Sequence, residues 1–598
     1  MLTILAVAGV AGFSYAFPLA VTIVALLAIV TLSYQQIIHA YPDGGGAYTV
    51  ARDNLGEMPA QVAAGALLAD YVLTVAVSVS AGVAQLASAF PPLLEHRVPV
   101  AIALLVVIMV VNLRGVKESG MIFAIPSYFF IVLMVLMVGF GFARALLGSL
   151  GGVPEPPPTT HVDALQGLSL FLLLHAFSSG TTALTGVEAI SNGVGAFREP
   201  RSRNAGLTLL WMSGILAVLF LGITWLARAA GAVPSEAETV VSQLARAIFQ
   251  GRGLLYHAVI GATTVILVLA ANTAFNGFPR LSALQAEDGF LPRQLTYRGS
   301  RLVYSRGIIA LAVMASLLIW IFHASVTALI PLYAIGVFLS FTLAQVGMTR
   351  RWWKVGHLAP GTETQERGSL LRHDPRWRLK LVSNGLGGAA TALVTVVFAV
   401  TKFREGAWVV ILVIPALVAL FMGINRHYIE LRRRLSLDEY GAPPRVLRHR
   451  VILPISGVHR GTVAALRYAR ALSHDITAVH VSVDEEDTRR LEEKWGLWGN
   501  GVRLVTLPSP YRLLMEPLLE YIEQIADLRQ SNETLTIVVP QFVARKWWHN
   551  LLHAQTAVLL RLALLYRPGI VITNVPYLMA EDGDEPSTPE SPRLRTTS

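Results

Sequence analysis

The chain of 598 residues contains no cysteine, which excludes a disulfide framework, a thiolate metal site and a cysteine nucleophile. Charge is scarce as well: Asp, Glu, Lys and Arg make up 14% of the residues, against roughly 25% in soluble domains. That shortage excludes an ordinary water-soluble protein. Gly-x-x-x-x-Gly-Lys-Ser/Thr is missing, as are paired carboxylates, a Ser-His-Asp set and histidines placed for a metal. His549 and His553 stand four apart, but they sit beside Trp547 and Trp548, where packing or docking accounts for them better than zinc. Gly44-Gly45-Gly46, after Tyr41-Pro42-Asp43, reads as a re-entrant turn rather than a phosphate cradle. Enzyme chemistry has no visible carrier, and the chain is read as a non-enzyme.

What is abundant is apolar sequence, 54% of the residues. Stretches of about 20 apolar residues, the length that crosses a bilayer, recur at 16–39, 60–90, 98–112, 121–147, 167–192, 206–230, 253–279, 305–323, 325–348, 381–401 and 406–424. The pattern is that of a polytopic, all-α membrane protein. No cleavable signal peptide precedes the first stretch; the chain opens on Leu2 to Gly12, too short to span by itself.

The net charge of +10 and the pI near 9.8 have a topological cause. Arg114 and Lys117, then Arg198, Arg201 and Arg203, then Arg280, Arg293, Arg298 and Arg301, then Arg350, Arg351 and Lys354 fall on alternate connections, while 148–166 and 322–325 carry no Lys or Arg. The positive-inside rule puts the basic loops and the C-terminal region in the cytoplasm. The basic balance needs no nucleic-acid partner; the partner that the apolar runs imply is a lipid bilayer.

Hydropathy falls after residue 424. The expected division is a membrane domain at 1–424, a basic juxtamembrane linker at 425–447, an α/β domain at 448–580 and a disordered tail at 581–598. In the α/β region, strands at 450–454, 476–481, 502–507, 535–539 and 569–575 alternate with helices at 461–473, 485–495, 514–528 and 551–565. Such alternation predicts a doubly wound, mostly parallel sheet.

The most informative segment is Ser178-Ser179-Gly180-Thr181-Thr182-Ala183-Leu184-Thr185-Gly186-Val187-Glu188, a glycine- and hydroxyl-rich break after the apolar run Leu168 to Phe177. Lipid leaves irregular backbone unsatisfied, so a break and a carboxylate at that depth belong around a solute site. If helix resumes after Gly180, then Thr181, Thr185 and Glu188 share one face and suit a small cation. Because a buried carboxylate needs a partner, proton and cation uptake at Glu188 would compete or be coupled.

A second polar face, Asp70, Thr74 and Ser78 with Tyr71 and Gln85 nearby, lies on 60–90. Taken alone, its hydroxyls bond back to the preceding turn; taken with the break, they share its site. Asn272 and Thr273 either pack helices or line the site, and His175 is read as a packing residue.

These segments resemble the amino acid, polyamine and organocation transporter superfamily. Tyr41-Pro-Asp-Gly-Gly-Gly-Ala-Tyr48 and Glu287-Asp-Gly-Phe-Leu-Pro292 resemble motifs after its second and eighth helices, and Gly186-Val-Glu-Ala-Ile-Ser-Asn192 the end of its broken sixth helix. Ser33-Tyr-Gln-Gln-Ile-Ile-His-Ala-Tyr-Pro42, Asp70 to Ser78, Phe177-Ser-Ser-Gly180, Leu184 to Asn192 and Ile330-Pro-Leu-Tyr-Ala-Ile-Gly-Val-Phe338 are similar to KimA-type bacterial potassium importers of the KUP group. The resemblance implies a LeuT-like, inverted-repeat bundle with a universal-stress-protein-like cytoplasmic domain, K+ import coupled to H+, a homodimer, and repression by the cyclic dinucleotide cyclic di-AMP. It carries Tyr71, Thr74, Ser78, Thr185, Glu188 and Tyr333 over as cation-site or pathway residues, with K+ at Thr74, Ser78, Thr185 and Glu188, and with Glu188 as the proton-coupling group.

Two departures stand out. The family's first helix opens with a half-helix bearing a site Asp and a Tyr, whereas this sequence starts where that helix is nearly over. A misassigned start codon or a truncation is the expected explanation, and without that segment the cation loses ligands. The α/β region lacks the late glycine pattern of ATP-binding stress proteins; Gln541-Phe-Val-Ala-Arg-Lys-Trp-Trp548 stands there, leaving Arg545 and Lys546 as contacts for phosphate. The rivals to K+ import are an amino acid or polyamine proton symporter on the same fold and a non-transporting membrane sensor.

Overall fold

The computed structural model describes residues 2–42, 44, 46–115, 120–157, 170–233, 235–299, 303–366, 369–437, 448–510, 513–530, 532–543 and 555–578. The chain divides into two units, Met1–Arg434 and Leu435–Ser598.

The apolar runs expected from the sequence are helical over their described residues, with one interruption in the run at 167–192. Among the described residues nine helices are long and apolar enough to cross a membrane: Tyr15–Ala40, Glu57–Ala89, Phe123–Leu146, Leu170–Asn192, Arg201–Ala230, Leu254–Glu287, Val326–Gly356, Trp377–Thr401 and Ala407–Arg434. Arg97–Leu113 and Ser305–Ile321 are apolar too, at 17 residues each. The first helix is one continuous element, Leu2–Ala40, rather than a short stub followed by a span. Pro18 inside it removes one backbone hydrogen bond, and an apolar helix absorbs that locally. The last helix continues to Arg434, where Glu430 and Arg434 pair at 2.6 Å and the basic residues complement the helix C-terminus.

Three elements had no counterpart in the expected pattern. The short helix Ala47–Leu55 follows the glycine turn. The amphipathic helix Val240–Phe249 starts at a cap in which Thr239 Oγ1 accepts from Ser242 N. Glu363–Glu366 and Ser369–Arg372 pair antiparallel.

The second unit is an open sheet in which Arg503–Pro508, Asp475–Ser482, Arg448–Pro454, Glu533–Val543 and Ile570–Leu578 lie side by side in that order, all parallel. Alternate residues face opposite ways, as the strand period of two requires. Val451, Leu453, Ala478 and Val538 pack with Ala465, Leu466 and Trp495 on one face; Ile452, Val479, Ile537 and Val539 pack with Leu518, Ile522 and Leu560 on the other. Helices on both faces make this the doubly wound sheet that the alternation predicted. Arg545, Lys546, His549, His553 and the tail from 581 lie outside the described residues.

Candidate functional site

The helix that opens at Leu170 ends at Thr181, tightens into a single turn at Thr182–Leu184, and reopens as Val187–Asn192. Between the pieces Thr185 is extended (φ −65°, ψ 145°) and Gly186 is left-handed (φ 97°), a conformation glycine adopts without penalty. The expected common face of Thr181, Thr185 and Glu188 is therefore not formed, because helix does not run through from Gly180. The hydroxyls explain why the break holds. Ser178 donates to His175 O, Thr181 to Ser178 O, Thr182 to Ser179 O and Thr185 to Thr182 O, at 2.7–2.8 Å. Each bonds back to a carbonyl of the preceding turn, as hydroxyls in apolar helices do. Each also spends its proton on the backbone, so its oxygen lone pairs remain as acceptors.

The break, not a helical face, brings Thr185 and Glu188 to a shared place. Glu188 is 4% exposed and accepts from Ser340 Oγ at 3.1 Å. Ser340 lies on Val326–Gly356, the helix that also carries the buried Tyr333, whose hydroxyl lies near those of Thr185 and Thr74. Thr74 comes from Glu57–Ala89 and donates to Asp70 Oδ1 at 3.4 Å. Asp70 is 5% exposed and close enough to Glu188 for their charges to interact. Asn192 Nδ2 donates to the Tyr71 hydroxyl at 3.0 Å, tying the far end of the broken helix to the Asp70 helix. Tyr71, Thr74, Thr185, Glu188 and Tyr333 thus converge. Ser78, half-buried one turn past Thr74, has no hydrogen bond to them among the described residues.

Glycines set how closely these helices approach. A Cβ on Gly277 would lie 2.6 Å from the Tyr71 ring, and one on Gly336 would lie 2.8 Å from Ala66 O and 3.7 Å from Asp70 Cβ. The glycine turn serves the same site: a Cβ on Gly46 would meet Asn192 Oδ1 at 2.0 Å. Tyr48, just beyond that turn, donates to Asp288 Oδ2 at 2.6 Å, which also receives Arg52 Nη1 at 2.8 Å. The two motif segments at 41–48 and 287–292 are therefore one structural junction.

Other candidates go elsewhere. Asn272 Oδ1 accepts from Asn112 at 2.6 Å, and Thr273 back-bonds to Ala270 O at 2.6 Å, so both take the packing role. Gln85 accepts from Thr239 at 2.6 Å, at the cap of Val240–Phe249. His175 is more than a packing residue: its Nε2 meets Glu405 Oε1 at 2.5 Å, and Lys402 Nζ holds Glu405 Oε2 at 2.8 Å. Burial pulls the Glu405 carboxyl up, but hydrogen bonds from His175 and Lys402 outweigh it and hold the group at about 2. Ser178 Oγ lies 3.2 Å from Thr401 Oγ1 beside this cluster. Ser340, Lys402 and Glu405 are not singled out by sequence reasoning, because nothing in local pattern distinguishes them from other helix and loop residues. Among the described residues no group of three or more His, Cys, Asp or Glu could hold a metal.

Buried hydroxyls and acids around a helix break, inside a bundle of apolar helices, are what a membrane transporter needs, and they mark the candidate site. Residues 1–427 match the amino acid permease family, and residues 447–577 match the KimA potassium transporter C-terminal domain. The chain is 42% identical over 580 residues to the potassium transporter KimA of Bacillus subtilis, covering 96% of this chain and 92% of that protein. It is 26% identical over 297 residues to the probable potassium transport system protein Kup of an Azoarcus species, covering 48% of this chain and 44% of that one. The chain belongs to the family of KimA-type transporters, built on an amino acid permease scaffold.

Proposed function

We propose that the chain is a secondary active transporter importing K+ together with H+ across a bacterial cytoplasmic membrane. One observation carries this reading: hydroxyls of Thr74, Thr185 and Tyr333 are gathered at a helix break beside two buried carboxylates, Asp70 and Glu188. Neutral oxygens can replace the hydration shell of K+, whereas Mg2+ dehydrates reluctantly. Glu188 must be ionised to balance a cation and protonated to travel without one, which links the two ions. Tyr71 orients the site through Asn192, and Ser78 lines the pathway one turn beyond it.

The finer features follow from family membership and remain part of the proposal: a LeuT-like inverted repeat, a homodimer, and a universal-stress-protein-like C-terminal unit in the cytoplasm that responds to cyclic di-AMP. Arg545 and Lys546 are its phosphate contacts. The test is K+-limited growth of a bacterium lacking its own importers, with Rb+ uptake measured against external pH. Rescue with acid-stimulated uptake is expected; expression in the membrane without rescue would refute the reading. The amino acid permease match favours one alternative, proton-coupled amino acid or polyamine uptake, in which half-helix N-termini hold a substrate carboxylate. Uptake of labelled amino acids in the same cells separates the two.

A further inference from the structure

Tyr34 lies on Leu2–Ala40 in a stretch where Val30, Ile37 and Ile38 are wholly buried with it. Its ring stands edge-on to Phe341 with centroids 5.3 Å apart, which holds it in one orientation. Phe341 directly follows Ser340, the donor to Glu188. The Tyr34 hydroxyl has no hydrogen-bond partner among the described residues, although the residue is 0% exposed. Glu188, Tyr71 and Asp70 all lie within electrostatic reach of it. An unpaired buried hydroxyl is costly, and a bilayer interior supplies no water to offset the loss. A buried hydroxyl that its ring packing holds next to the Ser340–Glu188 pair, and that bonds to no protein group among the described residues, has its lone pairs in place before an ion arrives.

We propose that Tyr34 is a further ligand of the transported monovalent cation, its hydroxyl oxygen joining those of Thr74, Thr185 and Tyr333 beside Asp70 and Glu188. The proposal rests on the K+ reading above. Bound to the ion through oxygen, the phenol is free to turn its proton toward a carboxylate, so one group serves cation and acid together. This adds the helix Leu2–Ala40 to the two helices and the break that already form the site, and makes the cation a link between all four.

The experiment is K+ titration of thermal unfolding for the purified full chain in nanodiscs, with Na+ holding ionic strength constant. Tyr34→Phe removes one oxygen and keeps the ring against Phe341. In the absence of K+ its melting temperature is expected to equal or exceed that of the parent, since no hydrogen bond is lost. Its K+ half-saturation is expected to rise about tenfold, the loss of one contact to a charge. A half-saturation equal to the parent's would overturn the assignment, and so would a lower melting temperature without K+ combined with an unchanged K+ response. A parent protein that K+ does not stabilise would overturn the K+ reading itself, and Tyr34 with it.

Discussion

The C-terminal sheet and the broken membrane helix both bury backbone and side chains deep in protein, and they satisfy the polar groups differently. In the sheet, Val451, Ile452 and Leu453 alternate between two apolar cores while parallel ladders on both sides pair the backbone of their strand. At the helix break the ladder stops, and Ser178, Thr181, Thr182 and Thr185 turn their hydroxyl protons back onto the preceding turn. Their oxygen lone pairs are left as acceptors. Stability dominates the first arrangement, and the second supplies the oxygens that the proposed cation site uses.

The sharpest way to break that contrast is Glu188→Gln, which keeps shape and the Ser340 contact but removes the charge. K+ uptake is expected to fall at least tenfold, about 1.4 kcal/mol or more, and to lose its dependence on external pH. Unimpaired, pH-dependent Rb+ uptake by this variant would detach Glu188 from coupling. Ile452→Ala acts on the other side of the comparison, costing about 2–5 kcal/mol in the sheet. Limited proteolysis should then cut the C-terminal unit while K+ stabilisation of the membrane unit persists; loss of both together would show that the two units do not fold independently.

Gly336→Ala sharpens the role of close approach. Its Cβ would press on Ala66 O at 2.8 Å and move the helix bearing Asp70, costing about 1–3 kcal/mol and weakening K+ affinity more than it lowers the melting temperature. Smaller still is the pair Thr185→Ala and Ser78→Ala. The first should weaken K+ half-saturation by about 1 kcal/mol and the second by less, as Ser78 stands outside the hydrogen-bonded cluster. Equal effects would move the site toward Ser78.

The smallest effect concerns Glu405, nearly half-exposed on its loop. Its carboxyl sits at about 2 against an ordinary 4.5, so the bridge to His175 and Lys402 contributes fully above pH 4.5 and fades as pH falls toward 2. Melting temperature measured across that window should drop more steeply for the parent than for Glu405→Gln. Parallel curves would show that the bridge adds nothing.

Much of this was legible in residue order. The apolar runs announced the membrane helices, because a span needs only length and hydrophobicity. The elements of the sheet followed from strands whose apolar pattern differs in period from the intervening helices. Asp70, Thr74 and Glu188 stood out as polar residues in apolar surroundings. The common face of Thr181, Thr185 and Glu188 was misjudged because Gly186, rather than Gly180, takes the left-handed turn, and local composition offers several glycines for that role. His175 read as packing because its partner, Glu405, lies 230 residues away.

Sequence alone determined that the chain crosses a membrane, that a parallel sheet follows, and that a carboxylate sits at a helix break. These depend on composition and short-range period, which are local properties. Only the tertiary structure decided that Tyr333 comes near Thr74 and Thr185, that Ser340 meets Glu188, that Gly46 makes room for Asn192, and that the Tyr34 hydroxyl is buried without a partner among the described residues. Those facts depend on how helices far apart in sequence cross, and a pattern along one strand of chain does not encode which neighbour a buried oxygen will face.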